Sequence, residues 1–203
     1  TLFESELFGH ERGAFTGATE SRPGAFREAS GGVLFLDEVA DLRQDLQVKL
    51  LRVIDTHRVR PLGSRCDAAI DVQVIAATSR DLHEACAKGD FRHDLYYRLA
   101  GVVLRIPPLR ERRDEVLLLA LSILQRQAPS VRLTVDAAEA LVNASWHGNV
   151  RNLRRVVVHA VSAAVASGRA EVMASDLPDL DPLGGTGSAD KLSVEAVRLA
   201  MAR

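Results

Sequence analysis

The chain has 203 residues, of which 47% are hydrophobic and 26% are charged, and its formal net charge is −1. This is the composition of a globular protein long enough for one core and a smaller second domain. It excludes a bulk electrostatic attraction to nucleic acid, and no apolar run approaches the ~20 residues of a membrane span. The two cysteines, Cys66 and Cys86, lack metal-ligand spacing, so we expect idle thiols and a cytoplasmic protein.

The first part of the chain contains a loop bracketed by glycines. Apolar residues within residues 2–8 share one face and predict a short amphipathic helix ahead of it. Two glycines then predict a tight loop tip. An aromatic residue on such a tip either folds back onto its own domain, as in a hairpin turn, or contacts a partner. The loop residues are Gly13, Ala14, Phe15, Thr16, Gly17 and Ala18.

A continuous apolar run, residues 33–36, ends abruptly in Asp37 and Glu38. A run without alternation predicts a central strand of a parallel sheet, with both faces covered by helices. Carboxylates at the carboxyl end of such a strand lie where α/β sheets place ligand chemistry, and two adjacent anions favour a bound cation. The alternative is that Asp37 caps the next helix.

A second buried strand is predicted over residues 70–77, and it ends in Thr78 and Ser79. Taken alone, this polar pair is expected to cap a helix that starts near Asp81. Between the two strands, apolar residues recur every four positions from Leu42 to Ile54 and predict an amphipathic helix. A β excursion then begins near residue 58, and a third strand is predicted over residues 102–106.

The segment over residues 90–99 predicts a helix and carries Arg92 and Arg98. The two arginines are six residues apart, so without context they are two solvated charges. The chain after Pro107 is helical in pattern, and Arg151 lies in a helix predicted over residues 148–165. A flexible linker is predicted over residues 179–189, followed by a helix over residues 192–201.

These segments, in this order, resemble the NtrC-like bacterial enhancer-binding proteins, the AAA+ activators of sigma-54 RNA polymerase. The matching elements are ELFGHE with GAFTGA, a Walker B motif, sensor I, the arginine-finger segment FRHDLYYRL and a sensor II turn. The resemblance implies an α/β fold: a partial AAA+ P-loop NTPase core, with a parallel sheet flanked by helices, over residues 1–109. It also implies a small α-helical lid over residues 110–178 and a linker with a truncated C-terminal region over residues 179–203.

The resemblance implies that the chain serves ATP hydrolysis. At matching positions, Asp37 holds Mg²⁺ and Glu38 polarises the attacking water, while Thr78 and Ser79 form sensor I. Arg151 matches sensor II, which senses nucleotide within the same subunit. Relatives usually carry Asn at the position of Ser79, so the relay from the γ-phosphate is expected to differ here.

The resemblance also implies partners. Arg92 and Arg98 match arginine fingers that serve the neighbouring subunit of a ring, which we expect to be a hexamer. Phe15 and Thr16 match the residues that contact sigma-54. Full-length relatives bind enhancer DNA through a C-terminal domain that this chain does not reach, and no membrane partner is implied.

One expected motif is absent from the sequence. No Gly-x-x-x-x-Gly-Lys-[Ser/Thr] phosphate loop occurs in the 203 residues, and the chain starts at Thr1, inside a motif, as a fragment would. We therefore expect ATP to bind poorly to the chain alone, and the first strand of the sheet to be missing, leaving an exposed edge or apolar patch. Two other hypotheses remain: a non-catalytic regulatory or interaction protein of this fold, and a different AAA+ remodeller.

Overall fold

The computed structural model describes residues 2–181. The chain divides into two compact units, residues 1–104 and residues 105–203. The predicted linker beyond residue 181 and the helix predicted over residues 192–201 lie outside the described residues. Within residues 2–181, no helix combines the length and apolar character needed to cross a bilayer.

The first unit alternates helices and strands, as the apolar patterns predicted. A short 3₁₀ turn over Val39–Asp41 connects the first strand to the long third helix. The elements are α1 (Leu2–Phe8), α2 (Ala25–Glu28), β1 (Gly32–Leu36), α3 (Gln44–Thr56), β2 (Arg58–Val59), β3 (Ala68–Ala69), β4 (Val72–Ala76), α4 (Leu82–Ala87) and α5 (His93–Leu99).

Strands β1 and β4 pair in parallel, in a register that runs from Gly32 opposite Val72 to Leu36 opposite Ala76. Side chains on one face of this sheet pack into the core of the unit, which also contains residues of α3 and α5. The other face is bare, and its apolar side chains are about half exposed. They are Val33 at 53%, Phe35 at 59% and Ile75 at 48%.

The prediction that both faces of the first strand are covered is therefore wrong for one face. Among the described residues, β1 and β4 have only each other as ladder partners. No described element of the first unit lies over the bare face, so Val33 and Phe35, two of the four residues of the continuous run, are about half exposed. The expected apolar patch is present.

Helix α3 provides the centre of the packed side. Leu50 is fully buried, and Leu46 and Val53 are nearly so, because they repeat along one stripe of the helix. The rings of Phe8 and Phe26 stack beside this stripe with centroids 5.8 Å apart. Strands β2 and β3 form the predicted β excursion as a short antiparallel hairpin.

The prediction of a third strand over residues 102–106 is wrong. This segment does not form a strand, and its four large apolar side chains are between 70% and 85% exposed. A strand forms only where a neighbour satisfies its N–H and C=O groups. No such ladder exists for this segment in the described part of the chain, so an apolar run alone did not produce a strand.

The second unit is mostly helical. Its core contains Leu141, Trp146 and Leu153, and Thr134 caps its second helix by accepting a hydrogen bond from the Ala137 amide at 3.3 Å, as predicted. A parallel pair of two-residue strands was not predicted, because strands this short leave no periodic pattern. The elements are α6 (Arg113–Gln127), β5 (Arg132–Leu133), α7 (Val135–Val142), α8 (Asn149–Ala166) and β6 (Glu171–Val172).

The carboxylate of Asp176 is buried near the C-terminal end of the described residues. Both oxygens of Asp176 accept hydrogen bonds from the Arg169 guanidinium, at 2.6 and 2.7 Å, and one also accepts from the Met173 amide at 2.8 Å. The Arg169 hydrogen bonds, followed by that of the Met173 amide, lower the pKa of Asp176 to about 2. This carboxylate therefore remains ionised in the folded state at mildly acidic pH.

We predict that Asp176→Asn lowers the melting temperature at neutral pH, because Arg169 loses its anionic partner. The folded pKa of Asp176, about 2, lies below the unfolded value of about 3.9, so its stabilisation is present above about pH 4 and is lost as the pH falls toward 2. The melting temperatures of the parent and of the Asp176→Asn variant are measured by thermal unfolding between pH 6 and pH 2.5, in steps of about half a pH unit. The exposed Glu171→Gln is the control, and equal stability of the Asn variant and the parent at neutral pH would contradict the prediction.

Candidate functional site

The parallel ladder continues past the ends of β1 and β4. The Ala77 amide donates to the Leu36 carbonyl at 2.8 Å, and the Val39 amide donates to the Ala77 carbonyl at 3.0 Å. The residues that directly follow the two strands therefore lie side by side at one edge of the sheet. They are Asp37, Glu38, Thr78 and Ser79.

The carboxylate of Glu38 is bound by Ser79. The Ser79 amide donates to Oε2 at 3.0 Å, and the Ser79 hydroxyl lies 3.0 Å from Oε1 and 3.1 Å from Oε2. Glu38 has a φ of 49°, in the left-handed region that a residue other than glycine rarely adopts. Ser79 thus supplies a backbone and a side-chain donor to one carboxylate, although it departs from the Asn of the usual motif.

Asp37 has a different environment from its neighbour. Its side chain is exposed, and Oδ1 accepts a hydrogen bond from the Glu38 amide at 3.0 Å. Neither the 3₁₀ turn nor α3 has a side-chain N-cap bond, so the alternative that Asp37 caps the next helix is wrong. Helix α4 is capped by Asp81, whose carboxylate accepts from two amides of its first turn, so Thr78 and Ser79 are not its caps either.

The oxygen atoms at this edge of the sheet are of the kind that bind Mg²⁺ in phosphate-transfer sites. Within residues 2–181, no group of three or more His, Cys, Asp or Glu side chains forms a ready metal cage. Mg²⁺ is commonly bound through one or two carboxylates, with water and substrate phosphates completing its shell. The exposed Asp37 carboxylate matches that pattern in oxygen chemistry.

The two candidate arginine fingers lie on or next to α5, and both are paired with carboxylates of their own unit. Arg92 forms a bidentate pair with Asp94, at 3.0 Å from Nε and 2.7 Å from the second nitrogen, which raises the pKa of Arg92. Arg98 contacts Asp55 at 2.9 Å through Nε. Both arginine side chains are about half exposed, so these pairs contribute little to stability and exchange easily for another anion.

The glycine-bracketed loop is a closed turn. Gly13 and Gly17 have φ values of 79° and 101°, as a tight tip requires, and the Gly13 amide donates to the Ala18 carbonyl at 2.8 Å. At the base, His10 and Arg22 exchange two backbone hydrogen bonds of 2.9 Å. The loop thus projects from a fixed base.

The aromatic ring of the loop folds back onto that base. The rings of Phe15 and His10 have centroids 5.1 Å apart and are tilted by 59°. His10 is buried, and its Nδ1 lies 2.6 Å from the Ser5 hydroxyl of α1. Thr16 at the tip is exposed. Of the two alternatives for the loop, this conformation shows the hairpin turn, and a cavity of about 450 Å³ borders the ring pair.

Arg151 lies in the second unit, in the first turn of α8. The turn before the helix is held by Trp146, whose indole N–H donates to the Leu141 carbonyl at 2.8 Å, and by Asn149, whose side-chain oxygen accepts from the Leu109 amide at 2.8 Å. Two side-chain hydrogen bonds therefore anchor the entry to the helix. Arg151 itself is exposed.

Two polar side chains near these motifs were not singled out from the sequence. His10 and Gln47 are both buried, and each satisfies its polar atoms through specific partners. The only sequence signals were a histidine within ELFGHE and a glutamine beside the apolar stripe of α3. A pattern of hydrophobicity does not distinguish a buried polar residue of this kind from a solvated one.

Comparison with known proteins assigns both units. Residues 1–105 match the family described as the Sigma-54 interaction domain, and residues 110–182 match the AAA+ ATPase lid domain. The chain is 54% identical over 166 residues to the transcriptional regulatory protein GlrR of Escherichia coli, covering 79% of this chain and 37% of that protein. It is 46% identical over 200 residues to the response regulator PilR of Pseudomonas aeruginosa, covering 90% and 45%.

Solved structures show the same relationship. The crystal structure of NtrX from Brucella abortus in complex with ATP superposes with a TM-score of 0.76 at 34% identity, covering 86% of this chain and 41% of that one. The chain thus spans less than half the length of these relatives. It contains an α/β AAA+ P-loop fold with parallel strands, followed by a helical lid, and it belongs to the family of sigma-54-dependent transcriptional activators.

Proposed function

We propose that this chain is the sigma-54-contacting part of an activator that hydrolyses ATP in an oligomeric ring and uses it to remodel the closed complex of sigma-54 RNA polymerase. The observation that carries this proposal is the strand-end cluster, in which Ser79 binds the Glu38 carboxylate beside Asp37 and Thr78. Such a cluster has the parts that phosphoryl transfer needs, namely an ion ligand, a water-orienting carboxylate and a sensor.

Each residue of the cluster has one task in this proposal. Asp37 would hold Mg²⁺, which when bound would neutralise negative charge on the phosphates, and Thr78 would act with Ser79 as the sensor of the nucleotide. Glu38 orients and polarises the attacking water. Both of its oxygens accept from Ser79 in the present conformation, and each retains a second acceptor site with which to bind that water. Ser79 thus orients the catalytic carboxylate.

The arginines act at two different sites in this proposal. Arg92 and Arg98 enter the ATP site of the neighbouring subunit, where a guanidinium stabilises charge on the transferring group. Their present partners, Asp94 and Asp55, hold the two guanidinium groups until that contact forms. Arg151 acts within its own subunit, as the lid residue that senses bound nucleotide. The ATP that is bound to the NtrX relative supports nucleotide binding by this fold.

In this proposal the loop over residues 13–18 is the part of the chain that acts on sigma-54. Phe15 and Thr16 contact sigma-54, and for this the Phe15 ring leaves the His10 imidazole on which it now lies. The whole protein would act as a hexameric ring in the cytoplasm and bind enhancer DNA through a C-terminal domain. We place its domain boundaries at residues 109 and 178. A non-catalytic interaction protein of this fold is the second candidate.

We predict that the isolated chain binds ATP weakly and hydrolyses it negligibly, because it lacks the backbone N–H cradle and lysine of a phosphate loop. Calorimetric titration measures this. The comparison protein is a fusion, here named the P-loop fusion, that places a Gly-x-x-x-x-Gly-Lys-Ser segment with its flanking strand and helix ahead of residue 1. Micromolar affinity of the isolated chain would contradict the prediction.

We predict that Glu38→Gln in the P-loop fusion leaves ATP affinity within about twofold and lowers turnover by about 10²–10⁴-fold, the range for loss of a general base. Phosphate release at saturating ATP provides the measurement. Glu84→Gln, on the exposed face of α4, is the matched control and should retain full turnover. If the Glu38 variant continues to hydrolyse ATP at the parent rate, the water-orienting group lies elsewhere and the proposal fails in its catalytic part.

We predict that Phe15→Ala weakens binding of the P-loop fusion to sigma-54 by about 30-fold or more, the effect of removing an aromatic anchor from an interface, without loss of ATP turnover. Binding is measured by anisotropy of labelled sigma-54. Phe3→Ala is the control, because Phe3 is an exposed phenylalanine that lies outside the loop. Unchanged sigma-54 binding by the Phe15 variant would favour a different AAA+ remodeller.

A further inference from the structure

We propose that Gln47 is the positioning residue of Arg92, and that it links the catalytic carboxylate segment of one subunit to the arginine that the same subunit offers to its neighbour. The inference rests on the proposed function, in which Arg92 acts in the neighbouring site. It adds a residue of α3 to which neither the sequence motifs nor the family matches assign a role.

The carboxamide of Gln47 is fully buried and makes three hydrogen bonds. Its Nε2 donates to the Leu42 carbonyl at 2.7 Å and to the Asp90 carbonyl at 2.9 Å. Its Oε1 accepts from the Arg92 amide at 2.9 Å. Both N–H groups and one acceptor site of the amide are thereby used, in a side chain whose residue is 0% exposed.

The three partners belong to two functional segments. Leu42 closes the 3₁₀ turn that begins directly after Glu38, so one bond holds the segment that carries the catalytic carboxylates. Asp90 and Arg92 flank Phe91, which is buried, and Arg92 is the N-cap residue of α5. One side chain therefore fixes the distance between the end of β1 and the start of the finger helix.

Other contacts between these segments are exposed. Gln44 donates to the Gly89 carbonyl at 2.8 Å, and Arg80 contacts Asp90 at 3.2 Å and Asp41 at 3.4 Å, all at the surface. Water replaces an exposed hydrogen bond at little cost, whereas a buried polar group that loses its partner has none. Together with the carbonyl of buried Ala85, which accepts from the Asp90 and Phe91 amides at 3.0 and 3.2 Å, the Gln47 bonds restrict where the backbone of Arg92 lies.

Positioning of Arg92 depends on its backbone. Its guanidinium is held by Asp94, a surface ion pair that must break when the arginine enters another site. The anchors that persist are the buried Phe91 ring and the Gln47 bond to the Arg92 amide. Because a displacement of ~1 Å at a reacting centre costs about 10²-fold in rate, loss of the Gln47 bond should reduce the effect of Arg92 in the neighbouring site.

The first test uses the chain as it exists and needs no nucleotide. Gln47→Met keeps the side-chain volume and removes all three hydrogen bonds. We expect the Arg92 amide to exchange with deuterium about tenfold faster or more in this variant, while the amides of the α3 core remain protected. Gln44→Met, which removes the exposed bond from the same helix, should leave Arg92 exchange unchanged. Unchanged Arg92 exchange in the Gln47 variant would overturn the positioning role.

The second test uses the P-loop fusion and separates the two sides of the subunit interface. Turnover of Gln47→Met should fall about 10²-fold with ATP affinity unchanged, and Gln44→Met should be unaffected. Gln47→Glu, which when buried and protonated keeps one donor and an acceptor for the Arg92 amide, should recover part of the lost turnover and retain Arg92 protection. This variant also serves if the Met variant does not fold.

Mixed rings distinguish a displaced finger from a damaged site. A Gln47→Met subunit keeps its own Glu38, and a Glu38→Gln subunit keeps a correctly placed Arg92. In a head-to-tail ring of equal parts, about one site in four combines the two intact groups, so mixing the two inactive variants should restore activity. Mixing Gln47→Met with Arg92→Ala should restore none, because both lack a functional finger.

The outcomes separate this inference from the proposed function. If Arg92→Ala alone leaves turnover unchanged, Arg92 is not a finger, and the proposed function loses that part together with the inference. If Arg92→Ala abolishes turnover but the Gln47→Met and Glu38→Gln mixture stays inactive, the finger role stands and the inference about Gln47 is overturned. Recovery in the mixture supports both.

Discussion

The parallel pairing of β1 and β4 is the constraint on which the candidate site depends. Because the register runs without a bulge and continues through Ala77, the two polar pairs that follow the strands are delivered to one edge at the same height. A slip of one residue would reverse which side chains face the core and would separate Glu38 from Ser79. The apolar runs that set this register are therefore as important to the site as its polar residues.

Two kinds of polar contact start from that edge. Ser79 binds Glu38 in exposed surroundings, where water competes with the hydroxyl, so this contact is suited to forming and breaking. Gln47 is itself fully buried and binds three backbone groups in partly buried surroundings, where water competes less. The first contact suits a moving part and the second a rigid support. Similar hydrogen-bond lengths thus serve opposite mechanical purposes because their exposure differs.

Much of the fold was predictable from the sequence, since α1, α3, α5, β1 and β4 each carry a clear apolar period or run. The carboxylates and hydroxyls of the site were predictable for the same reason, because each follows directly after such a run. The prediction of a strand over residues 102–106 was wrong, because an apolar run describes a single segment whereas a ladder requires two paired segments. The conformation of Phe15 on His10 and the bonds of Gln47 depend on groups distant in sequence, which no local pattern reports.

The bare face of the β1–β4 sheet has a consequence for handling the chain in solution. Val33, Phe35 and Ile75 form an apolar surface beside strand edges that carry unpaired backbone groups in the described part of the molecule. Surfaces of this kind join with their own copies, edge to edge and face to face. At high concentration the chain alone will associate through its sheet, and such aggregates would mimic a ring by mass while holding no arginine in a neighbouring site. Measurements of assembly therefore need the sheet covered first.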